Sequence, residues 1–276
     1  MFPHLVLPAL ISAWSLFTPA TPATTQPMGP VPFPVDPATV LAPQGARSRK
    51  WEQVWTTSGL PGHASVRELP GNGGRPVAVY VSAALEASKP VTLLMYFHGH
   101  GADVGDYFRD TSVLARIRWL ETTEPNTIYV CPEAASAPFH YWMAAPESFT
   151  RLEREGLAEA ARLAGRTLTI GRRVISAHSG GGLALRNAVT EGQIEAERFE
   201  FLDCNYGDWG MVVADWCAEQ PAGHRPDIQA WDTPGPTRTH DAEIKAAHPD
   251  LVTVQESPVG HFDIPGKLLG ATLLDL

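Results

Sequence analysis

Residues Val91–Phe97 read Val-Thr-Leu-Leu-Met-Tyr-Phe, a continuous apolar run between Pro90 and His98. Apolar side chains at successive positions mean that both faces of the strand are buried, as in a parallel sheet covered on two sides. The chain before this run has a different character. Trp51–Thr57, Ala64–Leu69 and Pro76–Ser82 are three candidate strands punctuated by Gly59, Gly62, Gly71, Gly73 and Gly74. That spacing predicts antiparallel neighbours joined by tight turns. After the run, helix and strand patterns alternate. Helical patterns over Val104–Leu120, Glu147–Ala164, Gly180–Thr190, Met211–Ala218 and His240–Ala247 separate strand patterns at Thr127–Cys131, Arg173–Ala177, Phe199–Asp203, Ile228–Trp231 and Leu251–Gln255, and a last helix comes after Pro265. Alternation of this kind predicts an α/β fold: a mostly parallel central sheet with antiparallel N-terminal strands and helices on both faces. There is no internal repeat.

Composition narrows the function classes. The chain has 276 residues, 44% hydrophobic and 18% charged, which is globular and large enough for one full core plus a tail. Its 21 basic against 30 acidic residues leave a net charge of −9, with no basic run beyond Arg47–Lys50 and Arg172-Arg173. A nucleic-acid partner needs clustered cations and is excluded on that ground. Three cysteines without a Cys-x-x-Cys pair make neither a disulfide scaffold nor a zinc site.

The first 35 residues contain no charged side chain. Leu5–Phe17 is mostly apolar but shorter than the roughly 20 residues of a membrane span. The small residues Thr18–Ala23 next to it suit signal peptidase, so residues 1–23 are expected to be a secretory signal, although no Lys or Arg precedes the apolar stretch. Residues 24–46 carry six prolines and are expected to be an extended linker. The folded domain is then 47–276, secreted or periplasmic and monomeric, with no membrane span. In an oxidising compartment Cys204 and Cys217 are near enough in sequence to bridge, with Cys131 left free and buried.

Ser176-Ala177-His178-Ser179-Gly180-Gly181-Gly182 lies between a β-branched strand and an Ala/Leu-rich helix. A serine nucleophile has to project from a tight strand-to-helix turn whose neighbours are small. Ser179 is therefore the candidate nucleophile, with the Gly180 amide at the helix N-terminus placed to stabilise an oxyanion. Tyr96-Phe97-His98-Gly99-His100-Gly101 closes the first buried strand. A loop of that composition turns a second amide, that of His100, toward the nucleophile, while His98 braces the loop. His98 and His100 have no carboxylate beside them to complete a metal site.

On this order the chain resembles the α/β-hydrolase superfamily over roughly residues 76–276: strand, His98-Gly99-His100-Gly101, strand, helix, strand, Ala177-His178-Ser179-Gly180-Gly181, helix, then an acid and a late histidine. The first glycine of the family's Gly-x-Ser-x-Gly is Ala177 here, a form that some bacterial lipases share. The resemblance implies an α/β-hydrolase fold and places the general base in the loop after the last strand. His261 in Pro258-Val259-Gly260-His261-Phe262-Asp263 is the residue there. The acid comes after one of two strands. Asp203 is the first choice and Asp232 the second, with Asp208 and Asp241 behind them. About twenty residues separate the Phe199 and Ile228 strands, which leaves no room for a large cap.

The aromatic residues near these loops, Tyr107, Phe108, Phe139, Tyr141, Trp142, Tyr206 and Trp209, are candidate substrate contacts, with Tyr107, Phe139, Trp142 and Tyr206 the preferred four. Together these features predict a secreted serine hydrolase acting on carboxylic esters of small molecules or polymers, needing no cofactor and no metal. A serine amidase or peptidase uses the same triad. A binding protein that reuses the fold is the third reading.

Overall fold

The structure is a computed structural model, and it describes residues 50, 52–53, 58–105, 111–134, 143–191 and 194–275. The expected signal and linker lie outside the described residues, as do Tyr107, Phe108, Phe139, Tyr141 and Trp142. Most of the strand expected over Trp51–Thr57 lies outside them too, but Lys50, Glu52 and Gln53 are helical, which corrects that expectation.

Eight strands form one sheet: β1 (His63–Leu69), β2 (Arg75–Val81), β3 (Val91–Phe97), β4 (Thr127–Pro132), β5 (Ile170–His178), β6 (Arg198–Leu202), β7 (Asp227–Asp232) and β8 (Val252–Glu256), in the spatial order β1-β2-β4-β3-β5-β6-β7-β8. β1 and β2 pair antiparallel, as do β2 and β4, and every later pair is parallel. The helices are α1 (Thr111–Thr123), α2 (Ser148–Ala164), α3 (Gly182–Glu191), α4 (Trp209–Glu219), α5 (Pro236–Ala247) and the short α6 (Ile264–Leu268). The sequence pattern starts α1 at Val104, but Val104 and Gly105 lie in a turn. α5 starts four residues before the expected His240 because Pro236 opens it, where a missing N–H costs nothing. Among the described residues no helix is long and apolar enough to cross a membrane.

The apolar run of β3 explains the two-sided core. Leu93, Met95 and Phe97 point to one face, packed with Phe149 and Leu152 of α2, Ala184 and Leu185 of α3, Val213 of α4 and Ile244 of α5. Leu94 and Tyr96 point to the other, packed with Val113, Ile117 and Leu120 of α1 and with Ile264, Leu269 and Leu273 near the C-terminus. The chain thus leaves β3 toward one face and leaves β5 toward the other. Neighbouring loops that diverge in this way open a crevice at the carboxyl edge of the sheet, where ligands bind on such folds.

The three cysteines are buried and unbridged, so the Cys204–Cys217 pairing does not form. Cys204 lies just past β6 at the carboxyl edge. Cys217, near the end of α4, lies within the field of Asp227, at the amino end of β7. The run of α4 separates them along the strand direction.

One buried carboxylate ties the C-terminal segment to the sheet. Glu200 of β6 accepts hydrogen bonds from Ser176 Oγ, from Gly270 N (2.9 Å), and from Thr272 N (3.1 Å) and Oγ1 (2.8 Å).

Candidate active site

β5 ends at His178, and Ser179 adopts a left-handed backbone with φ 50° before the helical turn Ser179–Gly181 runs into α3. A serine in that region is strained by roughly 1–3 kcal/mol, which surrounding packing has to sustain. The glycines show how. A Cβ on Gly181 would lie 2.2 Å from the Phe97 carbonyl oxygen, and one on Gly182 would lie 2.2 Å from that of Cys204. The turn is wedged between the end of β3 and the loop after β6, and only glycine fits. A Cβ on Gly99 would stand 3.1 Å from the Ser179 Cβ, so the loop after β3 passes directly over the serine. Gly180 is the second residue of the turn. Amides at a helix start have no partner within the helix.

Asp203 comes directly after β6, also with positive φ (51°). Its Oδ2 lies 2.6 Å from His261 Nδ1 and accepts from Thr233 Oγ1 at 2.6 Å. Its Oδ1 accepts from the Thr233 amide at 3.1 Å and from the Thr237 hydroxyl. Burial by itself raises the pKa of Asp203, but the bonds from His261, Thr233 and Thr237 outweigh it and hold the group below the ordinary carboxylate range. An ionised carboxylate only accepts, so Nδ1 of His261 carries the proton and Nε2 of the neutral ring keeps its lone pair. That is the tautomer a general base needs.

His178, beside the serine, is buried, and its ring centroid is 4.6 Å from that of His261. Its Nε2–H donates to the His261 carbonyl at 2.9 Å. Burial, and then the nearby His261, lower its pKa to about 3, so it is a neutral donor at working pH.

The other acids are committed elsewhere. Asp232 is buried and bonds Arg238 Nε at 2.6 Å, and Arg238 also reaches Glu256 at 3.0 Å. Its turn leads straight into α5. Asp208 is 63% exposed, with Arg186 at 3.5 Å. Asp241 accepts from Asn205 Nδ2 at 3.1 Å, while its other oxygen is buried without a partner. Burial raises its pKa to about 7.

His98 braces its loop, with Nδ1–H donating to the Gly99 carbonyl at 2.9 Å and Nε2 accepting from the Ala134 amide at 3.1 Å. Both nitrogens are occupied, and burial brings its pKa down to about 4. His100, the other proposed amide donor, is exposed in the next turn. Tyr206 lies near Ser179, and burial raises its pKa, so the phenol is neutral. Its ring packs edge-on against Trp209, at 5.6 Å between centroids.

No protein-family model matches the sequence, and a comparison with curated proteins gives no match. Solved structures do match in shape. FphF, a fluorophosphonate-binding serine hydrolase of Staphylococcus aureus, superposes with a TM-score of 0.54 at 14% identity, over 78% of this chain and 98% of that one. The fold is that of the α/β-hydrolases. A ferulic acid esterase gives a TM-score of 0.54 at 12% identity, over 77% of this chain and 95% of that one. The feruloyl esterase module from Clostridium thermocellum complexed with sinapinate gives 0.53 at 13%, over 84% and 92%. On the α/β-hydrolase fold, Ser179, Asp203 and His261 all occupy loops at the carboxyl edge of the sheet.

Sequence reasoning did not find Thr233 and Thr237, which clamp Asp203, or the role of His178. The threonines carry no local signal, because they reach Asp203 only across the β6–β7 pairing. Glu200 was missed as well, although a carboxylate inside the apolar strand Arg198–Leu202 demands partners and is a signal that could have found it.

Proposed function

We propose that the chain is a serine hydrolase that cleaves carboxylic esters through an acyl-enzyme, with Ser179 as nucleophile, His261 as general base and Asp203 as the orienting acid. The observation that carries this reading is the 2.6 Å bond from His261 Nδ1 to a clamped carboxylate, at the same sheet edge as a serine in strained left-handed geometry. His261 Nε2 takes the Ser179 proton as Oγ attacks the ester carbon. The amides of His100 and Gly180 hold the oxyanion. His261 then returns the proton to the departing alcohol oxygen, and water repeats the sequence to free the acid. The names of two of the similar structures, both feruloyl esterases, support ester over amide substrates, and the third, a fluorophosphonate-binding serine hydrolase, supports the serine nucleophile. The Leu5–Phe17 stretch with small residues after it supports export, with a mature chain starting near Thr21 or Thr24.

The test is labelling by a fluorophosphonate, which requires an activated serine. The full chain is expected to label, and Ser179→Ala to lose both labelling and turnover of p-nitrophenyl esters with an unchanged circular dichroism spectrum. An active Ser179→Ala variant refutes the assignment. Faster cleavage of anilides than of matched esters would favour the amidase reading. Mass spectrometry of secreted material that finds an intact Met1 would remove the export step.

A further inference from the structure

Among the described residues two large apolar side chains stand exposed, Phe262 at 87% and Leu274 at 51%. Phe262 is the residue immediately after the general base, in the helical turn His261–Asp263. Its backbone is held on both sides. The Asp263 amide donates to the Gly260 carbonyl at 2.9 Å, His178 holds the His261 carbonyl at 2.9 Å, and Ile264 and Pro265 are buried just beyond. The backbone that carries the ring is therefore anchored while the ring lies in water. Folding gains little from such a side chain, because apolar area stabilises only when it leaves water.

The surroundings of the imidazole suggest what covers it. Asp203 occupies Nδ1, and the His178 ring lies 4.6 Å away, centroid to centroid. Phe262 stands 5.2 Å away with its ring nearly perpendicular, at 79°, and among these three neighbours only Phe262 is open to solvent. In the proposed reaction His261 hands its proton to the departing oxygen. The carbon framework bonded to that oxygen must then pass close beside the imidazole, whereas the acyl group stays on Ser179.

We propose that Phe262 is the contact for the alcohol half of the substrate, and that the site favours esters whose alcohol carries an aromatic or flat apolar group. This rests on the triad reading given above. A phenyl ring carried on an anchored backbone at the rim offers an edge or a face to a second ring, and such pairs gain beyond simple area burial.

The experiment compares wild type with Phe262→Ala on three esters. Benzyl acetate has its ring on the alcohol side, methyl phenylacetate on the acyl side, and methyl acetate has none. The readout is kcat/KM, which covers all steps through loss of the alcohol. Each ester is compared only with itself, so intrinsic reactivity cancels. Benzyl acetate is expected to fall about tenfold, the scale of one lost apolar contact in a site. The two methyl esters are expected to stay within twofold, and Phe262→Tyr to retain the preference. Equal losses on all three esters, no loss on any, or a loss confined to methyl phenylacetate would each overturn the proposal. Because the ring is exposed, the thermal midpoint is expected to be unchanged. Fluorophosphonate labelling, run in parallel, tests the parent reading: labelling retained in both proteins isolates failure to Phe262, and an unlabelled wild type overturns the triad reading with it.

Discussion

Replacing Asp203 by asparagine changes one oxygen into an amino group, and the structure dictates which one. Four donors converge on the carboxylate: the Thr233 amide and the Thr237 hydroxyl at Oδ1, and the Thr233 hydroxyl and His261 Nδ1 at Oδ2. Hydroxyls rotate and imidazoles change tautomer, so three of these groups can switch from donating to accepting. The Thr233 backbone N–H cannot. Setting an amino group against it leaves a buried donor unsatisfied at a cost of about 1–3 kcal/mol, a factor of roughly 5–150 in population. Asparagine therefore keeps its oxygen toward the Thr233 amide and turns its amino group toward His261. Nδ1 must then accept, Nε2 carries the proton, and the base has no lone pair for Ser179. Loss of the negative charge beneath the imidazolium adds to this. Together they are expected to lower kcat about 10⁴-fold, the scale known for this substitution in a triad, with KM little changed. Asp232→Asn disturbs only the Arg238 pair and should cost less than tenfold. The assay is steady-state hydrolysis of p-nitrophenyl esters with thermal melts alongside, so that unfolding is not scored as lost catalysis. An Asp203→Asn enzyme with more than a tenth of wild-type kcat, or a dead Asp232→Asn beside it, refutes the reasoning and moves the acid to the β7 loop.

His178→Phe removes the donor to the His261 carbonyl and should lower kcat about 10- to 100-fold with KM within threefold, while His178→Gln, which keeps an N–H at similar reach, should recover most of the loss; equal values for both variants would reduce His178 to a space-filler. Asp241 is neutral in the fold up to a pKa of about 7 but ionises near 3.9 when unfolded, so the native state binds the extra proton and stability should fall as pH rises from about 4 to about 7. Asp241→Asn should flatten that slope and raise the melting temperature at pH 8, and parallel wild-type and variant curves would contradict it. The cysteines are unbridged, and burial pushes all three thiols well up, so a thiol reagent should count none in the native chain and three after unfolding without reductant. A count of one would mean a disulfide.

Much of the scaffold comes from local chemistry. The run Val91–Phe97 has apolar side chains on both faces, and no arrangement but a covered sheet buries them. The glycines around Ser179 are forced by contact with the carbonyls of Phe97 and Cys204, and a stretch of small residues between strand and helix announces that crowding in the sequence itself. His261 was legible from its place after the last strand. The choice of acid was not. Asp203 and Asp232 both end a strand and enter a turn, and nothing within either segment tells them apart. What separates them is long-range: β6 and β7 lie side by side, so Thr233 and Thr237 arrive from the loop after β7 and the start of α5 to clamp Asp203, while Arg238, in the first turn of α5, draws Asp232 away. The Cys204–Cys217 pairing fails for the same reason, since nearness in sequence was undone by a helix that carries one thiol toward the amino edge of the sheet. Local sequence determined which side chains had to be inside and where the chain had to turn. Only the tertiary structure decided which of several equivalent carboxylates received the imidazole, because hydrogen-bond donors from distant segments act on a group only once the strands that carry them are packed together.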